Sequence, residues 1–435
     1  MQLFIKVAIL FLIIFNFRIP LLYNSSVLSV VLSAFYYVFI RKSIPFTYFY
    51  RKYNAKILIG LLLICFITLS ITIFHSQYEF TLLKVLTLQF FMLSSLVFAL
   101  PILINEDENT FEQAAYIICC AFTLQGFIQL IAYLVPPVGD FMVAMKPPAF
   151  QEFFILNPEL RFRGYALTGS PFFELPCGFG VAFILFFRIL YIKGQKYITG
   201  YKKYVMFFLF FFGSMLSGRT AFVGLGIALG MVFFMVKNPV NSIYKTGRII
   251  LLLGVALVIV YNFLPSSFRE KISDTVFPYA FEFFYSFEET GKVGTVSSDA
   301  LDGHYFALSS ETLLHGDGRY LEPSGGYYRG TDAGYMRMLL YGGVPFFICL
   351  LIYQYVYFSK PLYNSRRGGT EEDRRDYWCL LFLFVHLFIL EYKSDTIGTQ
   401  NIMQVLLLFI GSAYMIRYYY REETEIYNEK NTTYT

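Results

Sequence analysis

The chain has 435 residues, of which 57% are hydrophobic and only 15% charged, with a formal net charge of +5. Soluble domains carry about 25% charged residues. The apolar excess here is too large for one globular core and lies in long runs, so a soluble multidomain reading is excluded, and nothing points to a nucleic-acid partner.

The first run, 3–17, has Lys6 near its start in the manner of a signal peptide. Arg18, Ile19 and Pro20 follow without a small-residue cleavage pattern, which predicts an uncleaved first helix. A spanning helix needs about 20 mostly apolar residues. Runs that meet or approach this length fall at 3–22, 24–40, 57–74, 82–104, 114–135, 171–192, 204–217, 219–236, 248–264, 335–358, 377–391 and 398–417. The sequence therefore predicts an all-α polytopic membrane protein of about twelve transmembrane helices. Gly213, Ser214, Ser217 and Gly218 predict a bend or tight pairing inside 204–236.

Charge supports the even count. With the N-terminus inside, the cytoplasmic connections 41–56, 193–203, 237–248 and 359–376 collect the basic clusters, among them Arg51, Lys52, Lys202, Lys203, Arg366 and Arg374. The short outer loops 75–81 and 391–397 hold only Lys393, as the positive-inside rule requires. This organisation places helices 1–9 in 1–264, with a Pro-rich outer loop near 136–170. A large outer loop follows at 265–334, between helices 9 and 10. Helices 10–12 occupy 335–421, and 422–435 is a cytoplasmic tail. The large loop carries eleven acidic and five basic residues, and its stretch 277–289 reads either as an amphipathic helix on the membrane surface or as a substrate wall.

All six cysteines, Cys65, Cys119, Cys120, Cys177, Cys349 and Cys379, lie in apolar runs with no CxxC or Cys/His spacing. They read as small buried residues, with no disulfide framework and no metal site. The first outer loop lacks the acidic pair that would hold a divalent cation. No Walker motif and no G-x-G-x-x-G after a strand is present, which argues against nucleotide-driven chemistry and leaves no cofactor implied.

The informative charges are cations on the outer side, against the bias. Arg219 stands between two apolar runs, with Thr220 opening the second. An arginine beside a helix N-terminus is a phosphate cradle, or else an anchor in a tight turn. Arg161 and Arg163 alternate on a segment expected to be extended, which would point both the same way. Arg337 lies one turn into the helix after the large loop. Together these four predict a diphosphate site, which Lys393 either joins or leaves to a solvated turn with Glu391 and Asp395. Asp332, where the large loop re-enters the membrane, reads equally as a catalytic carboxylate or as a helix cap. Glu322, Asp317, Asp302 and Glu174 are further acids to consider. His304, His315, Arg329 and the aromatic Tyr305, Tyr320, Tyr327, Tyr328 and Tyr335 complete the candidates.

Four motifs carry a resemblance: Ser217-Gly-Arg219-Thr220 opening a helix, then Leu314-His-Gly316-Asp-Gly318, then Thr331-Asp332-Ala-Gly-Tyr335, then Leu340-Tyr-Gly342-Gly343-Val-Pro. In this order and topology they resemble the bacterial O-antigen polymerase and O-antigen ligase superfamily, over about 160–358. The resemblance implies a glycosyltransferase of the inner membrane, metal-independent and acting at the periplasmic face. Its donor and acceptor would be undecaprenyl-diphosphate-linked oligosaccharides, and a chain-length regulator is an implied partner. In the ligase branch a histidine is expected where Asp332 stands, which favours a polymerase and leaves the base unassigned. The alternatives are the ligase itself and a flippase for lipid-linked oligosaccharides.

Overall fold

The computed structural model describes residues 2–19, 22–41, 48, 51–170, 172–191, 197–236, single positions between 244 and 262, 266–282, 286–288, 301 and 303–432. The expected ninth run, 248–264, falls mostly outside the described residues, as do Asp302 and 289–300 of the large loop. Among the described residues no strand forms; Leu321 and Tyr327 make one isolated antiparallel bridge.

Helices α1 (Gln2–Phe15) and α2 (Ser25–Tyr36) come first, followed by α3 (Lys52–Phe74), α4 (Thr81–Leu103) and α5 (Thr110–Leu134). The Pro-rich outer segment folds into α6 (Pro136–Ala144), α7 (Pro148–Leu156) and a 3-10 turn, Pro158–Tyr165. Then come α8 (Glu174–Leu190), α9 (Lys202–Ser217), α10 (Thr220–Met235) and the short α11 (Ser266–Lys271). The chain ends with α12 (Ser310–His315), α13 (Gly334–Arg367), α14 (Glu371–Glu391) and α15 (Asn401–Thr432). Five of these, α3, α4, α5, α13 and α15, contain stretches long and apolar enough to cross a membrane. This is the build of an all-α membrane protein, where each backbone polar group must find its partner within its own helix.

The chain divides into two compact units, one of Met1–Ala121 with Ala307–Thr435, the other of Phe122–Phe306. In the first, a buried ion network ties helix ends together. Arg417, only 1% exposed, pairs with Asp376, with Glu372 at 3.1 Å and with Glu112 at 3.7 Å. Arg421 adds Asp373 at 3.2 Å. Thr370 caps α14 in a capping box with Asp373, fixing the end that offers these acids.

The same unit explains two of the sequence motifs. Pro345 cannot donate to a carbonyl one turn back, and Gly342 and Gly343 leave helical geometry, Gly343 at φ 66°. The kink frees the carbonyls of Leu340 and Tyr341. They accept the backbone N–H groups of Asp317 (2.6 Å) and Gly318 (3.0 Å). The Leu314–Gly318 and Leu340–Pro345 motifs thus clasp each other, with Gly316 so close to Tyr341 and Gly342 that a Cβ would overlap their backbone.

In the second unit, α8 and α10 cross where Gly224 lies against Gly180 with no room for a side chain, a small-residue crossing of the kind membrane helices use. The stretch 266–280 is helical, with a π-helical turn at Ile272–Val276. Ile272 and Val276 are buried with Tyr133, Phe162, Met215 and Leu216, and Phe277 and Phe281 pack on that cluster. Of the segment expected to be a surface helix or a substrate wall, Phe277, Tyr279 and Phe281 pack on this cluster, while Phe287 is exposed.

Candidate functional site

The candidate residues fall into two constellations, one in each unit. In the second unit the Ser217–Thr220 junction between α9 and α10 is its centre. Gly218 packs on Pro176, and a Cβ there would also meet Arg163. Arg163 donates through Nε to the Ser217 carbonyl at 3.2 Å, and its guanidinium lies over the rings of Phe172 (4.9 Å) and Tyr279 (5.5 Å). Arg219 approaches the same Tyr279 ring at 5.2 Å and forms an ion pair with Glu282. Both partners of that pair keep contact with solvent, their side chains being 21% and 24% exposed. No described carboxylate pairs with Arg163.

The structure therefore brings Arg163 and Arg219 together, and corrects the expectation for Arg161. The segment is a 3-10 turn, not an extended strand. At three residues per turn, side chains two apart point about 120° away from each other. Arg161 turns to Asp140 at 2.7 Å on the surface, while Arg163 turns inward. Arg219 is likewise no bare cradle: Thr220 opens α10 as expected, but Glu282 already occupies its guanidinium.

The same unit holds a cavity of about 580 Å³ with an almost wholly apolar lining, including Tyr133, Phe211, Phe212, Leu216, Phe277 and Phe281. Its walls are continuous in sequence with the charged groups: Leu216 precedes Ser217, while Phe277 and Phe281 flank Tyr279 and adjoin Glu282.

One side chain here escaped the sequence reading. Lys146, 1% exposed, follows α6 and donates to the backbone carbonyls of Ala166 and, at 2.7 Å, Thr168. It pins the stretch that follows Arg163. Burial lowers its amine from the usual lysine value to about 7. A polar residue in an amphipathic loop gives no sequence signal for such a role.

In the first unit Arg337 is the centre. Its side chain is 4% exposed and donates through Nη1 to Asp395 Oδ1 at 2.6 Å. The Tyr320 hydroxyl donates to the other Asp395 oxygen. The rings of Tyr320 and Tyr327 each have their centroid 4.0 Å from the guanidinium carbon. Burial and the Asp395 charge push the Tyr320 phenol well up, so it stays a donor. Arg337 is thus already ion-paired, and it belongs to a different unit from Arg161, Arg163 and Arg219.

The Glu391–Asp395 turn is no solvated loop. Glu391 is fully buried, and its Oε2 accepts from Thr396 N (2.5 Å), Thr396 Oγ1 (2.8 Å) and Ile397 N (2.6 Å). Its Oε1 faces Gly334 at the start of α13, where the helix dipole favours an anion. Lys393 is half-buried in the same turn. Asp332 is half-buried but does not cap α13: the N-cap is Ala333, whose N–H is taken by Thr331 Oγ1 at 3.3 Å. Tyr335 donates to the Phe388 carbonyl at 3.0 Å, which ties α13 to α14. His315 ends α12, and its carbonyl lies 3.1 Å from His75 Nε2. Arg329 holds a left-handed backbone (φ 53°), and its N–H donates to Glu322 at 3.0 Å. Its side chain reaches Asp317 at 3.8 Å. Among the described residues no group of three or more His, Cys, Asp or Glu side chains is placed to hold a metal ion.

No family model matches the chain, and no curated protein matches it.

Proposed function

We propose that this chain polymerises oligosaccharide repeat units carried on undecaprenyl diphosphate. In this reading it is a metal-independent glycosyltransferase of the bacterial inner membrane, with twelve spans, cytoplasmic termini and a periplasmic active face. The observation that carries the reading is the pairing of Arg163 and Arg219 on Tyr279 in a unit that also holds an apolar, aromatic-walled cavity. A lipid diphosphate has the complementary chemistry, with dense negative charge at one end and hydrocarbon at the other.

Arg163 supplies a charge that no described carboxylate offsets. Arg219 exchanges Glu282 for the diphosphate. Both then stabilise the charge that builds on the diphosphate as it leaves the anomeric carbon. A hydroxyl of the second lipid-linked unit attacks and gives up its proton to a carboxylate base. Because diphosphate is a good leaving group, no general acid is needed, and confinement of both substrates to one membrane supplies proximity.

The test is the surface-polysaccharide ladder of cells deleted for the chain and complemented with wild type, Arg219→Ala or Arg163→Ala, at matched membrane levels. Single repeat units on deletion, a ladder with wild type and none with either variant support the reading. Repeat units trapped on their carrier at the cytoplasmic face would mean a flippase, and full-length glycan left on its carrier would mean a ligase.

A further inference from the structure

The Nε–H and Nη2–H bonds of an arginine lie on one edge of the guanidinium, the edge that grips two oxygens at once. At Arg337 that edge is buried and makes no hydrogen bond of ordinary geometry among the described residues, although the Tyr320 hydroxyl stands close to the guanidinium, while Nη1 on the other edge is held by Asp395. Native proteins rarely leave such donors idle, and an idle charged fork asks for a partner that arrives from outside.

Charge decides the class of that partner. Asp395 already offsets Arg337, and the buried Glu391 is close enough for the two carboxylates to feel each other. A diphosphate would have to compete with the Asp395 carboxylate for the guanidinium. A neutral ligand with two adjacent oxygens fills the fork without that cost. The two tyrosine rings against the guanidinium offer a surface for the C–H face of such a ligand.

Access has a structural basis as well. Tyr327 closes a hairpin on Leu321, held by the Glu322 N–H to Gly326 carbonyl bond at 2.7 Å. Tyr327 is 46% exposed and 323–326 are all exposed, so the tip of the hairpin stands at the surface. The left-handed Arg329 at its base is a strained position of the sort found at clamps.

We propose that Arg337, Asp395, Tyr320 and Tyr327 form a subsite for a neutral sugar, two of whose adjacent hydroxyl oxygens accept from the Arg337 Nε–Nη2 edge when the Tyr327 hairpin lifts. The source of the sugar rests on the polymerase reading; the chemistry of the subsite does not. It assigns Arg337 to a neutral sugar and not to a diphosphate.

The experiment is hydrogen–deuterium exchange of the purified full-length protein in nanodiscs. The probes are glucose, galactose, mannose, N-acetylglucosamine, N-acetylgalactosamine and inorganic pyrophosphate. At least one neutral sugar is expected to slow exchange in 321–329, with affinity roughly tenfold weaker or worse in Arg337→Lys, which keeps the charge and loses the fork. Tyr327→Ala removes an exposed ring, keeps the fold and is expected to weaken the same protection. If no sugar protects the hairpin in the wild type, or pyrophosphate protects it and the sugars do not, the subsite is overturned. Neither outcome touches the polysaccharide ladder, which tests the polymerase reading separately.

Discussion

Replacing Asp395 by alanine tests the first unit most sharply. Asp395 is 12% exposed and is the carboxylate that pairs with Arg337, itself 4% exposed. Removing one partner of a buried pair strands the other charge, at a cost of about 3–5 kcal/mol. The Tyr320 hydroxyl loses its acceptor in the same step. For a unit of this size each kcal/mol moves Tm by about 2–4 °C, so a fall of roughly 6–20 °C is expected. Thermal unfolding of the detergent-solubilised protein, followed by tryptophan emission, reads it: the single Trp378 lies in α14, within the same unit. The control is Asp395→Ala with Arg337→Met, which removes the stranded charge and is expected to restore much of the loss. If Asp395→Ala shifts Tm by less than about 2 °C, or if the double variant is no better, Arg337 is not a buried, paired cation and the reasoning fails.

Three further outcomes follow from the geometry. Glu282→Gln frees Arg219 and is expected to tighten binding of inorganic pyrophosphate, measured by calorimetry, while Arg161→Ala, losing only a surface pair worth about 0–1 kcal/mol, leaves it unchanged. Gly316→Ala forces a Cβ into the backbone of Tyr341 and Gly342 at a φ of +73°, and should cost at least about 1–3 kcal/mol, opening 314–320 to limited proteolysis. Lys146 titrates near 7 when folded and near 10.5 when unfolded, so between those values the unfolded state binds the extra proton. The stability that Lys146 controls is therefore lowest below pH 7 and rises from pH 7 towards 10.5, and Lys146→Met should flatten that rise in a Tm-against-pH series.

The sequence made the apolar helices legible because membrane spans are written in local composition. Ser217–Thr220 read correctly as a helix start because its signal also lies in adjacent residues. The 3-10 turn at Pro158–Tyr165 was not legible: an alternation of Arg161 and Arg163 looks the same in an extended strand, and packing of Phe162 into the core decides between them. The acids Glu282, Glu391 and Asp395 were underrated for a related reason. Each gains its meaning from a partner tens of residues away, and a single sequence shows no pairings. Their signal was the same as that of the arginines, an ionisable group at the edge of an apolar run, and applying that rule to both signs of charge would have found them. The Gly-rich motifs read as marks of function, and two of them prove to be a clasp between α12 and α13 that holds Tyr320 over Arg337.

The activity proposed for this chain is the lengthening of a glycan on its lipid diphosphate. The most direct measurement uses the purified protein in proteoliposomes with the lipid-linked repeat unit as sole substrate, and resolves products by gel after mild acid release. The account predicts a ladder of multiples of the repeat without added metal or nucleotide, lost with Arg219→Ala in protein that still folds. A wild-type protein, folded and inserted, that leaves the repeat unit unextended while moving it across the bilayer would contradict it.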